Sequence, residues 1–268
     1  MSRVSIEIMK KALILAAGIG KRLGDLTRNI PKCLLPIDFN DRNTLLDLSI
    51  QSLLDNGISE IIIVTGFGAE ALKMHINYKW KNKVSFKYIF NEYFKEYNNI
   101  YSAYLARNIW DDETLLLNSD IIFHPLILKN LIQEIKETNS QKSFLVIDDK
   151  KILTAESMKV KVNSACEIKE INKGLEIKSS FGEYIGITYL RGFERIKFIE
   201  SLEENVKNKK LDLYYEDAIA HVLDEISVPP FSTSGLSWIE VDTPEDYEIA
   251  KQILQRSEQK RGNFVGIL

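Results

Sequence analysis

The most chemically loaded stretch of the chain is Leu15-Ala16-Ala17-Gly18-Ile19-Gly20-Lys21-Arg22-Leu23-Gly24, with Pro31-Lys32 shortly after it. Glycines at the end of a strand let backbone N–H groups approach phosphate oxygens with no Cβ in the way. The stretch therefore reads as a phosphate cradle flanked by two cations, Arg22 and Lys32. Spacing excludes two common cradles. A dinucleotide fingerprint needs its third glycine three residues after the second, whereas Gly24 comes four after Gly20, and no acidic residue ends the second strand near Thr65-Gly66. A Walker loop needs Ser or Thr after Gly-Lys, and here Arg22 follows Lys21.

Carboxylates and aromatics supply the other candidates. Asp120 closes Asn118-Ser119-Asp120 after an apolar run, and Asp242 follows Trp238 to Val241 and precedes Thr243-Pro244. Each also has an ordinary explanation, Asp120 as a strand-end turn and Asp242 as a helix N-cap. In Tyr214-Tyr215-Glu216-Asp217, tyrosine rings beside acids could hold an alkylammonium group by cation–π attraction and charge pairing. The same residues also suit an acid-rich first helical turn with one tyrosine packed inward. Glu183 is a further possible contact for an amine or hydroxyl. His75, His124 and His221 are scattered without metal or triad spacing and are assigned structural places.

These residues need a scaffold, and the periodicity supplies one. Ala12 to Ala16, Ile61 to Val64, Thr114 to Leu117 and Ser143 to Ile147 read as buried strands, and Val84 to Phe90 alternates as a half-buried one. Helical spacing recurs over Thr44 to Asn56, Asn99 to Asn108, Leu126 to Glu137, Phe193 to Val206, Tyr215 to Leu223 and Pro244 to Leu254. Lys159 to Asn163, Glu167 to Ile171 and Tyr184 to Leu190 look antiparallel. The expected fold is α/β, a doubly wound, mostly parallel, Rossmann-like sheet with a smaller antiparallel region. One domain is expected over 10–256, with a nucleotide-binding half at 10–150, an acceptor-binding half at 151–256, and flexible ends at 1–9 and 257–268.

Bulk properties narrow the partners. A net charge of −3, from 35 basic and 38 acidic residues spread along 268, gives no field to hold nucleic acid or an anionic membrane. Cys33 and Cys166 lack the paired spacing of zinc sites or disulfide frameworks, so reduced thiols in the cytoplasm are expected. No apolar run reaches membrane-spanning length, and the first nine residues carry Arg3 and Glu7 where a signal peptide would be apolar.

Leu15 to Arg22 together with Pro31-Lys32 resembles the signature of the sugar-phosphate and choline-phosphate nucleotidyltransferases, and the resemblance extends over nearly the whole chain. It implies that the loop wraps a nucleoside triphosphate, that Arg22 and Lys32 neutralise it, and that Asp120 and Asp242 hold Mg²⁺. Asn91-Glu92-Tyr93 and Tyr97 to Ser102 resemble the base-recognition segment of the choline-phosphate cytidylyltransferase branch, which implicates Asn98, Asn99 and Ser102 and points to CTP. Asn98 and Asn99 are equally ordinary helix caps. Ser119 joins the nucleotide site, and Lys159 and Lys173 look like lysines that reach the acceptor phosphate, although a strand lysine is commonly a solvated one. Leu213 to Asp217 resembles the acceptor-side helix. Lys21 and Cys33 depart from the residues common in the family at those places.

The expected reaction is transfer of CMP from CTP to a small phosphorylated acceptor with release of pyrophosphate. Choline phosphate, an aminoalkyl phosphonate, a phosphorylated amino acid derivative and a sugar 1-phosphate all remain open as acceptors, and a homodimer is allowed. A sugar-1-phosphate nucleotidyltransferase using another NTP is the alternative. A metal-dependent glycosyltransferase has no use for Arg22 and Lys32 around a triphosphate, and a non-catalytic nucleotide sensor little need of both aspartates.

Overall fold

In the computed structural model, which describes residues 10–38, 42–137 and 142–264, strand β1 (Lys11–Ala16) carries the glycine loop at its end. Ala12, Ile14 and Ala16 face one core while Leu13 and Leu15 face another. Burial on both faces is why this strand reads as an unbroken apolar run instead of an alternating one. Strands β2 (Glu60–Thr65) and β3 (Ser85–Phe90) extend the sheet on one side of β1, and β4 (Thr114–Asn118) adds on the other, all parallel. The chain thus switches direction of growth between β1 and β4, and a crevice opens beyond their carboxyl ends, where Leu15 lies opposite Asn118.

Beyond β4 the sheet becomes mixed. β6 (Phe144–Asp148) and β9 (Gly182–Tyr189) pair antiparallel, β9 also runs antiparallel to β4, and β10 (Pro230–Ser232) runs parallel to β6. The hairpin β7 (Lys159–Val162) and β8 (Ile168–Asn172) branches from β9. A separate antiparallel pair, β5 (Ile121–Phe123) with β11 (Trp238–Glu240), stands over the crevice. Through it the Val241 N–H donates to the Asp120 carbonyl at 2.9 Å, so two aspartates far apart in sequence become neighbours.

Helices α1 (Leu45–Asp55), α2 (Ala69–Trp80) and α4 (Pro125–Glu137) cover one face of the sheet. Helices α3 (Asn99–Leu105), α5 (Gly192–Lys207) and α6 (Tyr215–Ala220) cover the other. Helix α7 (Pro244–Phe264) packs Tyr247 and Ala250 on Leu23 and Leu35 beside the glycine loop. It extends into the segment expected as a free end, while residues 1–9 and 265–268 lie outside the described residues.

The expected fold class agrees with this architecture. Helix α2 and strands β5 and β10 are additions to the elements expected from periodicity, and α6 stops at Ala220 where a helix to Leu223 was expected. One sheet runs through both expected halves. Among the described residues no helix is long and apolar enough to cross a membrane.

Candidate active site

A cleft of about 380 Å³ lies over the ends of β1 and β4. Its floor is the loop that begins at Leu15, Ala16 and Ala17 and continues through Gly18, Gly20 and Lys21. Gly20 has φ +70°, and a Cβ there would meet Lys32 Cβ at 3.0 Å. A side chain at this point would push Lys32 off its place, so the glycine is set by what lies behind it. Ile19 turns to the outer rim, toward Phe94 and Lys95.

Four charged groups converge at the mouth of the loop. Lys32 Nζ lies 2.8 Å from Asp120 Oδ2 and 2.5 Å from Asp242 Oδ1, and Arg22 Nη2 lies 2.5 Å from Asp242 Oδ2. Burial works against the Lys32 ammonium, but Asp120 and Asp242 outweigh it and raise its pKa. Asp242 is held below the usual carboxylate range, since Lys32 and Arg22 outweigh its own burial. The N-cap reading of Asp242 is not what the chain adopts. Thr243 is the cap, accepting from the Asp246 N–H at 3.2 Å while Asp246 Oδ2 accepts from the Thr243 N–H at 2.8 Å. That capping box leaves the Asp242 carboxylate pointing at the cations.

Glu240, which sequence reasoning passed over within its run of acids, completes the cluster. Among the described residues, Asp120, Glu240 and Asp242 offer carboxylate oxygens all within 4.8 Å of one another. Glu240 keeps contact with solvent in the cleft, yet the surrounding protein and then the two aspartates push its pKa up. Asp120 Oδ1 is buried with no hydrogen-bond partner. An acceptor-only atom without a donor, inside a triad of carboxylates, fits a hard divalent cation such as Mg²⁺.

At one end of the cleft stand Asn98, Asn99 and Ser102. Ser102 is buried and accepts from Asn91 Nδ2 at 3.0 Å, which leaves its hydroxyl hydrogen free to give. The two asparagines are largely consumed in structure. Asn98 caps α3 by accepting from the Asn99 N–H and donates to the Asp212 carbonyl, and Asn99 Oδ1 accepts from the Tyr215 N–H at 2.8 Å. They staple α3 to the segment before α6.

The acceptor-side expectations divide. Lys173, Tyr214 and Glu216 line the cleft, as does Ser119, which was expected at the nucleotide. Lys173 Nζ sits 5.8 Å from the centre of the Tyr214 ring and 3.8 Å from Glu156. Four others are not cleft-wall groups, contrary to expectation. Lys159 is 1% exposed and donates to the carbonyls of Thr154, Ala155 and Ser157, so the ammonium knots its own loop. Glu183 is buried and paired with Lys151 at 3.1 Å. Asp217 is spent on the Tyr214 N–H at the start of α6. Tyr215 is 0% exposed, its hydroxyl bonded beneath the floor to Tyr184 and Asn118. Period-two and first-turn patterns look the same whether such a side chain faces a ligand or the core, so no signal in the sequence separated them.

A family model described as nucleotidyl transferase matches residues 11–154. The choline-phosphate cytidylyltransferase of Streptococcus pneumoniae is 27% identical over 253 residues, 91% of this chain and 98% of that one. The CTP:phosphoglutamine cytidylyltransferase of Campylobacter jejuni is 26% identical over 261 residues, 89% and 98% of the two chains. Among solved structures, a UDP-glucose pyrophosphorylase complexed with UDP-glucose superposes with a TM-score of 0.74 at 19% identity, over 93% of this chain and 100% of that one.

Proposed function

The chain belongs to the nucleotidyl transferase family, and from that premise we propose that it transfers CMP from CTP to a small phosphorylated acceptor, releasing pyrophosphate, with Mg²⁺ as cofactor. The convergence of Lys32, Arg22, Asp120 and Asp242 at the mouth of the glycine loop carries this reading. CTP, as against another NTP, is supported by full-length relatives named cytidylyltransferases. The sugar-1-phosphate alternative draws on the fold likeness and on a UTP–glucose-1-phosphate uridylyltransferase of Pseudomonas aeruginosa that is 38% identical over 79 residues, 29% of this chain.

An acceptor phosphate oxygen attacks the α-phosphorus of CTP, and the bond to the β-phosphate oxygen breaks in line with it. The acceptor is already an anionic nucleophile, so the protein's task is to offset repulsion between two polyanions and stabilise charge on the leaving group. Backbone N–H groups around Gly18 and Gly20 cradle the triphosphate. Arg22, whose fork meets two oxygens at once, exchanges Asp242 for the β- and γ-phosphates. Lys32 exchanges its two carboxylates for the α-phosphate. Asp120 and Asp242, with Glu240 beside them, hold Mg²⁺, which supplies charge neutralisation on the phosphates. The base lies against the Asn91–Ser102 pair, and the acceptor phosphate meets Lys173. Choline phosphate, an aminoalkyl phosphonate or a phosphorylated amino acid derivative occupies the side of Tyr214 and Glu216. The same reading places the enzyme in the cytoplasm as one domain, and allows a homodimer.

The test is pyrophosphate release for the four NTPs, each with Mg²⁺, against choline phosphate, an aminoalkyl phosphonate, phosphoglutamine and a hexose 1-phosphate. Release with CTP and one acceptor type is expected. A nucleoside diphosphate as product, or no turnover in any pairing, would refute the proposal.

A further inference from the structure

Asn118, the last residue of β4, lines the cleft two residues before Asp120, and nothing in the sequence reading gave it a task. Its side chain is held from below. Tyr215 Oη donates to Asn118 Oδ1 at 3.1 Å, Tyr184 Oη is 2.8 Å from Tyr215 Oη, and Thr188 Oγ1 is 2.5 Å from Tyr184 Oη. All three hydroxyls belong to buried residues. Each has one hydrogen, so the chain of donation has a direction: Thr188 to Tyr184 to Tyr215 to Asn118. In the reverse order the buried Thr188 hydrogen would have no acceptor among the described hydrogen bonds, at the cost of an unmade buried bond. The relay therefore fixes the amide with Oδ1 inward and the NH₂ outward.

Gly186 keeps that NH₂ face clear. Its φ is +86°, and a Cβ there would come within 2.7 Å of Asn118 Nδ2. Among the described residues Nδ2 has no protein acceptor. In the same cleft Glu216 Oε2 is buried with no hydrogen-bond partner, and burial pushes that carboxyl up to about 7 against the opposing pull of its own backbone N–H, Tyr215 and Asn99. Of the aromatic side chains on the cleft wall, Tyr184 is buried in the relay, the Tyr214 ring carries Lys173 over it, and Phe94 and Tyr97 stand with Ile19 and Lys21 on the glycine-loop side.

Resting on the cytidylyltransferase reading, we infer that Asn118 is an acceptor-binding residue, and that Asn118 Nδ2 with the Glu216 carboxyl forms a donor–acceptor pair selecting a hydroxyl- or carboxamide-bearing acceptor over a quaternary ammonium. A hydroxyl or carboxamide accepts from the amide and donates to the carboxyl at once. A trimethylammonium group does neither. Tyr215 and Tyr184 are positioning residues, acting through the orientation of the Asn118 amide.

The experiment compares choline phosphate, ethanolamine phosphate, a hexose 1-phosphate and phosphoglutamine with CTP, then measures kcat and both KM values for wild type, Asn118→Ala, Tyr215→Phe and the double variant on the best acceptor. The hexose phosphate or phosphoglutamine should exceed choline phosphate in kcat/KM. Asn118→Ala should raise the acceptor KM about tenfold, the worth of one hydrogen bond, with the CTP KM unchanged. Tyr215→Phe should move the acceptor KM the same way, and the double variant should be no worse than Asn118→Ala alone. Choline phosphate as the best acceptor, an unmoved acceptor KM, or equal changes in both KM values would overturn the inference. If Asn118→Ala fails to fold by thermal melting, Tyr215→Phe decides by the same split. No pyrophosphate from wild type with any acceptor would instead sink the parent reading.

Discussion

Two lysines that look alike in sequence separate cleanly by what surrounds the ammonium. Lys173 stands in the cleft against Tyr214 and Glu156, whereas Lys159 is enclosed by three carbonyl oxygens. Lys159→Met leaves those carbonyls without a donor, and each bond to a charged group is worth about 1.5–3 kcal/mol. The variant should lose at least about 2 kcal/mol of unfolding free energy in urea titration, with the acceptor KM unchanged in the folded enzyme. Lys173→Met should do the converse, raising the acceptor KM at nearly constant stability. A stable Lys159→Met with impaired acceptor binding would restore Lys159 to the site. The carboxylates grade similarly. Asp120→Asn removes the ligand whose Oδ1 has no other partner and should cut kcat by about 10²–10³, the usual cost of losing one fixed electrostatic contact at the reacting phosphates. Glu240→Gln should chiefly raise the Mg²⁺ concentration for half-maximal rate, and identical kinetics to wild type would remove Glu240 from the metal site.

At the scale of elements, α1 and α2 are tied by one buried carboxylate. Asp47 accepts from Thr44, His75, Lys79 and Trp80, the last at 2.6 Å. Burial alone would raise its pKa, but His75, Thr44, Trp80 and Lys79 outweigh burial and hold it far below the ordinary 3.8. A carboxylate with a depressed folded pKa contributes its full stability above the unfolded value and loses it as pH falls toward the folded one. Stability should therefore drop on acidification below about 3.8, and Asp47→Asn should both cost about 3 kcal/mol or more and flatten that limb. An unchanged acid limb in the variant would show that other groups govern it. Asp47 also shows where the sequence was legible. The helix over Thr44 to Asn56 was readable because apolar spacing and the glycine that follows agree, and the Thr44 cap with Asp47 is what the structure adds. Helix α2 was not: Leu72, Ile76 and Trp80 form its buried stripe, but Met74 and Tyr78 place apolar side chains on the exposed face, 72% and 93% exposed, and blur the period. The glycine loop with its cations was legible from residue types and spacing, whereas the place of Asp120 and Asp242 beside it followed from the family resemblance, since each alone also suits a turn or a cap. Asn118, Glu240 and the buried fate of Tyr215 were not, since each is decided by strand pairings between residues far apart in the chain.

The whole molecule is built so that one site closes the fold on itself. The loop after β1 meets β11 and α7 through Arg22 and Lys32 on Asp242, while β5 and β11 join Asp120 to the same cluster. Three carboxylates facing two cations leave little net charge to draw in a free divalent ion, and Lys32 Nζ occupies the space between Asp120 and Asp242 where such an ion would be held. A metal arriving alone must displace an ammonium that then has no partner. A metal arriving with a triphosphate brings new anions for Lys32 and Arg22, so each ligand should favour the other by the same factor. Thermal melting should therefore rise little with Mg²⁺ alone, modestly with CTP alone, and by about 5–10 °C with both at about a hundred times their joint dissociation constant, which corresponds to about 2.7 kcal/mol. Lys32→Met should reverse the order, making Mg²⁺ alone stabilising and weakening the gain from CTP. A wild-type protein stabilised as much by Mg²⁺ as by Mg²⁺ with CTP would show that the ammonium does not guard the metal site.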